Sequence, residues 1–481
     1  MRLLTDITPL RESPAFRRLW LGSTLSLAGG SMTSFAIMLQ VFDATRSTAA
    51  TGAIGVVTLV PMLVVALPGG SLADRVDKRG LIVVVTAGQA AVSALLFLQA
   101  LLFLQALPGR GAGWLWAAYA LVAAQSALGA VNAPARRTLI PALLPPAQLP
   151  AAMALNRVAF QVTLIAGPAL AGLVTGALGL KGCYLADAVS FAGAFYGIGR
   201  LPAAATARKD FSPQRAPLAA IGSGLSFIWR DKVLAGAFLA DVNATFFGLP
   251  LALFPAINAL RFGGDPRTLG LFSAAIGVGG MVSAAASGPV GRVSRQGLAM
   301  LVAVSVWGAA FAVFAVSSAL WLALLALGVA GAADTFTVVF RGIIVQRVTP
   351  EELRGRVNAA DYVVGAGGGQ LGSLESGVVG ALTTPVISAL AGGLLTVAGA
   401  LVIGAVLPAF ASYRDTTTSG AEPEPPEPPQ PEPARVPQVP AGTPAGTAGT
   451  LAWRTASPRA RRSRRYQRAV DGSNEGSKRR M

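Results

Sequence analysis

Gly70-Ser71-Leu72-Ala73-Asp74-Arg75-Val76-Asp77-Lys78-Arg79 is a short charged stretch set between two long apolar windows, 51–72 and 81–106. Each window is at least as long as the roughly 20 residues that a helix needs to cross a hydrocarbon core. The stretch between them is too polar to enter lipid and too short to form a domain, so it reads as the tight turn of a membrane-spanning helical hairpin. Helices suit that setting because every backbone polar group finds its partner within the segment. Gly70 lets the two helix ends approach closely, and Arg75, Lys78 and Arg79 hold the turn on the side of the membrane where basic residues gather.

The same alternation continues along the chain. Apolar windows fall near 19–40, 51–72, 81–106, 114–133, 154–179, 183–200, 233–257, 268–290, 297–316, 319–340, 357–382 and 386–409. With the N-terminus inside, the inner segments before the tail carry 21 Lys and Arg, against 5 in the outer loops (Arg46, Arg110, Lys181, Arg261 and Arg267). That bias predicts both termini in the cytoplasm and an even number of spans. Of the 481 residues, 53% are hydrophobic and 13% charged, where a soluble chain carries roughly 25% charged residues. The first 18 residues hold Arg2, Asp6, Arg11, Glu12, Arg17 and Arg18 without an apolar core, so no removable signal peptide is expected. The expected fold class is an all-α membrane protein with twelve transmembrane helices.

Composition also excludes whole classes of chemistry. Histidine is absent and Cys183 is the only cysteine, which removes His and Cys metal sites, disulfides within the chain and Ser/His/Asp catalysis. No Gly-x-x-x-x-Gly-Lys-Ser/Thr loop is present, so ATP hydrolysis is not expected. The chain reads as a non-enzyme without metal or cofactor, and its carboxylates are the residues left to carry protons inside a membrane.

Two basic loops recur. Arg75-Val76-Asp77-Lys78-Arg79-Gly80 matches Arg292-Val293-Ser294-Arg295-Gln296-Gly297, and Arg137, Ile140, Pro146 and Leu149 match Arg341, Ile344, Pro350 and Leu353. A tandem Leu-Leu-Phe-Leu-Gln-Ala at Leu95–Ala100 and Leu101–Ala106 lengthens the first copy. The chain therefore divides into two homologous six-helix halves, 1–202 and 233–410, joined by a polar linker at 203–232. A tail at 411–481, Pro/Glu-rich and then Arg-rich, lacks the apolar residues of a core and is expected to be disordered and cytoplasmic. The net charge of +17 comes largely from that tail and the inner loops, so no nucleic-acid partner is expected.

The stretch 70–79 resembles the signature loop of the major facilitator superfamily. Phe16-Arg17-Arg18-Leu19-Trp20, Pro134-Ala135-Arg136-Arg137 and Thr349-Pro350-Glu351-Glu352-Leu353-Arg354-Gly355-Arg356-Val357 are similar to the branch holding enterobactin exporters, macrolide-efflux proteins and transmembrane secretion effectors. The resemblance covers residues 14–410. It implies the major facilitator fold, and a gating loop of Gly70, Asp74, Arg75, Lys78, Arg79 and Arg137 in which Asp74 faces the start of helix 11 and pairs with Arg136 or Arg137. Gly167, Pro168 and Gly172 in the fifth window resemble the exporter motif of antiporters in that superfamily, with Ala171 in place of a glycine. The bland readings are a topogenic loop with solvated charges and a generic kinked helix rich in glycine.

Carboxylates inside apolar windows are costly and usually face a cavity or a partner. Glu375, Asp334 and Asp241 are the candidates for binding protons or a cationic substrate, whereas Asp187 and Asp361 lie near window ends and read as solvated or capping residues. Arg157 reads as snorkelling to the inner surface. Trp114, Trp116 and Tyr119 read as interfacial anchors, and Gly367, Gly369 and Gly372 as close helix packing or a hinge instead of a nucleotide loop. The resulting expectation is a proton-coupled exporter of a small hydrophobic or amphipathic molecule of the drug or siderophore class. It would be a monomer in the bilayer of a bacterial inner membrane. The alternatives are an importer of the same fold and a transport-inactive membrane sensor or scaffold.

Overall fold

The computed structural model describes residues 6–75, 78–105, 113–137, 139–200, 217–286, 288 and 293–414, with backbone only at 66–75, 78, 103–105, 137 and 217–220. Among the described residues no strand occurs, and twelve helices reach 16 residues or more. In chain order they are α1 (Pro14–Thr45), α2 (Thr48–Arg75), α3 (Lys78–Gln105), α4 (Gly113–Arg137), α5 (Leu149–Leu178), α6 (Leu180–Gly199), α7 (Lys232–Phe247), α8 (Pro266–Ala286), α9 (Gln296–Val316), α10 (Leu320–Val348), α11 (Glu351–Leu382) and α12 (Pro385–Val406). They belong to one compact unit, Met1–Ala421. Beyond residue 414 the tail lies outside the described residues.

Local chemistry fixes where several of these helices start and stop. Ser13 caps α1 by accepting from Phe16 N at 3.2 Å, with Pro14 at the first helical position, where no donor is needed. Asp231 caps α7 through two 2.9 Å bonds from Val233 N and Leu234 N, and Thr384 caps α12 from Ile387 N at 3.1 Å. At the other ends, Gly179 takes φ 74° and closes α5. Helix α7 stops at Gly248 ahead of Pro250, and the chain resumes as a short helix at Phe254–Arg261. The window expected at 233–257 is thus broken, and Trp307 of α9 donates to the freed carbonyl of Gly248 at 3.0 Å.

Ten of the helices, some with their short extensions, are long and apolar enough to cross a membrane. Helices α6 and α11 do not meet that measure. Helix α6 carries Lys181, Asp187 and many small residues, and α11 carries Glu351, Glu352, Arg354, Arg356, Asp361 and Glu375 among its glycines. The sequence windows also misplace ends, because a charge was taken as a boundary. Helix α10 runs on through Arg341 to Val348, and α11 starts at Glu351, six residues before the expected 357.

The helices pack in a pattern that repeats with a step of six. Helix α1 packs on α5 and α6 as α7 packs on α11 and α12; α2 packs on α4 as α8 packs on α10; and α3 packs on α4 and α6 as α9 packs on α10 and α12. Two further seams, α2 on α11 and α5 on α8, exchange under the same step. A helix at Pro217–Arg230, within the stretch expected as a polar linker, lies against the start of α11.

Candidate functional site

The two seams are tight at one end. Thr48 Oγ1 at the start of α2 donates to the Gly377 carbonyl of α11 at 2.8 Å, and a Cβ on Gly52 would lie 2.5 Å from Ser373 O and 3.1 Å from Gly377 Cα. On the other seam, a Cβ on Gly172 of α5 would lie 2.6 Å from Pro266 O and 3.2 Å from Gly270 Cα of α8, and one on Gly270 would lie 2.6 Å from Pro168 O. Every one of these contacts uses the ends of α2, α5, α8 and α11 that adjoin the α1–α2, α5–α6, α7–α8 and α11–α12 connections, here called the far end. Nearer the start of α11, no described atom outside the helix lies within 4 Å of a Cβ at Gly365 or Gly367.

This arrangement explains the glycines of α5. Gly172 and Pro168 meet α8, while Gly167 faces Ser31 of α1, so the Gly-Pro motif sets the approach of α5 to both neighbours. In α11, Gly368 and Gly372 pack on Thr245 and Phe246 of α7. The Gly367, Gly369 and Gly372 pattern therefore lies within a continuous helix, and no strand precedes it.

Three charged residues from three helices meet in α7, α10 and α11. Arg341 Nη1 lies 2.9 Å from Asp241 Oδ2 and 2.7 Å from Asp361 Oδ1. Their side chains are 12%, 5% and 33% exposed respectively, so the arginine and Asp241 are enclosed while Asp361 keeps an open side. Asp334 precedes Arg341 by seven residues, about two turns on the same helix face, and stands within electrostatic reach of Arg341 and Asp241. Arg341 thus pairs with two carboxylates, and Asp334 stands nearby. The sequence reading places Arg341 in an inner loop and takes Asp361 as a solvated or capping residue; in the structure Arg341 lies inside α10, and Asp361 keeps an open side while pairing with it.

Glu375 lies apart from this cluster, partly exposed, in the far-end segment of α11 that packs on α2. No described residue forms an ion pair or hydrogen bond with its carboxylate. Its small neighbours are engaged in packing: Gly372 on α7, Gly377 on Gly52, and Ser376, whose carbonyl accepts from Ser388 of α12 at 2.8 Å.

Of the gating loop, the side chains of Gly70, Asp74, Arg75, Lys78 and Arg137 lie outside the described residues, with Asp74 and Arg75 falling on the last turn of α2. Arg79 is described, and it donates to Gly199 O at the end of α6 at 2.7 Å. Arg136 is held by neutral acceptors on three helices: Asn132 Oδ1 at 2.9 Å, Ser23 Oγ at 2.9 Å and Thr86 Oγ1 at 3.2 Å. Two further expectations need correction. Asp187 is fully buried instead of solvated, and Tyr119 is buried, with its hydroxyl donating to Ala50 O at 2.6 Å, so it ties α4 to α2 and is no interfacial anchor. Trp116 is exposed, as an anchor would be.

Comparison with known proteins agrees with this architecture. The chain is 25% identical to the enterobactin exporter EntS of Citrobacter koseri over 405 residues, covering 84% of this chain and 93% of that one. Among solved structures it superposes on the nucleoside transporter NupG with a TM-score of 0.64 at 14% identity, covering 83% of this chain and 99% of the other. It also superposes on a bacterial homologue of the iron transporter ferroportin in the inward-facing state, with a TM-score of 0.62 at 16% identity and coverage of 83% and 99%. These superpositions show the fold. The family model for transmembrane secretion effectors matches residues 4–432, and the chain belongs to that family of multi-pass membrane transporters of the major facilitator superfamily.

Proposed function

We propose that this protein is a proton-coupled exporter that moves a small hydrophobic or amphipathic molecule, of the drug or siderophore class, by alternating access. The observation that carries this reading is the pair of inter-helix seams, α2 on α11 and α5 on α8, closed on glycines at the far end. A carrier that exposes its site to one side at a time needs seams that close at one end while the other stays apart. In this reading all twelve long helices span a bacterial inner membrane, α6 and α11 included, with their polar faces turned into the bundle. Residues 1–202 and 233–410 are the two halves, 203–232 the cytoplasmic linker, 411–481 a disordered cytoplasmic tail, and the protein works as a monomer.

The Lys and Arg bias of the loops at the opposite end, 21 against 5, supports a cytoplasmic location for that end and for both chain termini. The conformation is then closed to the outside. Asp241, Asp334 and Asp361 stand around one arginine, and an unmatched carboxylate in a low dielectric calls for a proton or a cationic group. Glu375 is the further candidate, at the seam itself. That the family relatives include proteins named as enterobactin exporters supports the direction and the class of solute.

Everted vesicles carrying the full chain test the proposal with a panel of siderophores and amphipathic drugs. The expected result is accumulation inside the vesicles that an uncoupler abolishes. Accumulation only in right-side-out vesicles would make the protein an importer, and no movement of any compound in either orientation would leave the sensor or scaffold reading in its place.

A further inference from the structure

The first six helices bury a carboxyl that no charged partner neutralises. Asp187 of α6 is fully enclosed, and its Oδ2 accepts from Thr33 Oγ1 of α1 at 2.8 Å and Ser93 Oγ of α3 at 2.7 Å. Its Oδ1, equally buried, has no hydrogen-bond partner. That atom presses on Gly29 of α1: a Cβ there would stand 2.5 Å from Oδ1 and 2.6 Å from Ser190 Oγ. Ser190 gives its own proton to the Asp187 carbonyl at 2.6 Å, so it does not donate to Oδ1.

The groups around the carboxyl are all uncharged. Gln125 of α4 approaches Ser93 Oγ through Nε2 at 3.5 Å, Tyr184 bonds to Gln40, and Cys183 lies 3.2 Å from Thr175 Oγ1 of α5. No described Lys or Arg pairs with Asp187. A bare carboxylate in such surroundings pays a desolvation penalty that two hydroxyl donors do not offset. A metal ion would need several oxygen ligands and room for itself, and the contact with Gly29 denies that room. A proton needs neither.

We propose that Asp187 is a proton-binding site, occupied in this conformation, with the proton on Oδ1, the oxygen that no donor reaches. The site is separate from the Arg341 cluster and does not depend on which solute is carried.

Infrared difference spectra of the full-length protein in lipid, in H2O and D2O at neutral pH, test this directly. The expected spectrum has a deuterium-sensitive carboxylic-acid C=O band that disappears in Asp187→Asn and persists at a shifted frequency in Thr33→Val. Loss of carboxylate bands alone in Asp187→Asn would show that the group is ionised and would overturn the proposal. Should Asp187→Asn fail to fold, Thr33→Val decides: a shifted acid band supports the site, and an unchanged acid region with a shifted carboxylate band overturns it.

Discussion

Arg341 of α10 reaches Asp241 of α7 with a 2.9 Å contact from Nη1 to Oδ2, and the same nitrogen holds Asp361 of α11 at 2.7 Å. The arginine is the positive centre of three helices, and removing it strands carboxylates in the bundle. Breaking a buried ion pair by deleting one partner costs about 3–5 kcal/mol because the other charge stays buried. Arg341→Ala is therefore expected to lower thermal stability in detergent by several degrees, and Asp361→Asn, at the more open position, by much less. Thermal melting followed by size-exclusion chromatography measures both. Equal losses from the two variants would mean that the arginine is not the hub.

The seam between α5 and α8 has no space for a larger side chain. Gly172→Val would drive methyl groups into Pro266 O and Gly270, so the far end should fail to close and transport should fall at least tenfold with insertion preserved. Gly365→Ala, whose Cβ meets no described atom outside α11 within 4 Å, is the control and should leave transport within twofold of wild type. Vesicle uptake of a transported compound, normalised to protein in the membrane, separates the two. Normal transport by Gly172→Val would show that the seam does not need to be this tight.

The turn at 70–79 yields a third prediction. A carboxylate at the end of α2 can face the free N–H groups at a helix start, which favour an anion. Asp74→Asn should keep the protein folded and inserted while strongly reducing turnover, and undiminished transport would return the loop to a purely topogenic role.

Much of the fold was legible in the sequence because lipid leaves few options: long apolar windows, short polar turns and a basic bias on one side dictate antiparallel helices. What failed was the treatment of charge as punctuation. Arg341 ended a predicted window, yet its partners Asp241 and Asp361 let α10 continue through it, and that pairing joins residues 100 and 20 positions apart. Asp187 reads as a solvated or capping residue because it lies near the end of its window, and its partners Thr33 and Ser93 sit unmarked inside apolar windows. The Gly-Pro motif of α5 announced close packing but not its object, since Gly270 belongs to a helix about a hundred residues later.

Glu375 is the ionisable residue most exposed to a decisive test, because it lies in the α11 segment that packs on α2 at the closed end and has no described bonding partner. Its small neighbours serve helix packing and do not satisfy it, so water, a proton or a cationic part of the solute must do so when the seam is shut. Glu375→Gln preserves shape and hydrogen-bonding capacity while removing titration. If the residue carries the coupled proton, the variant loses uphill transport driven by a pH gradient but retains solute binding and downhill exchange. If it only contributes an interhelical hydrogen bond, worth about 0.6 kcal/mol on average in a membrane, the change is close to silent. The two outcomes differ in kind, since only the first separates uphill from downhill flux. Uphill transport by Glu375→Gln at the wild-type rate, still abolished by an uncoupler, would remove Glu375 from the coupling path and leave Asp334, Asp241 and Asp361 around Arg341 to carry it.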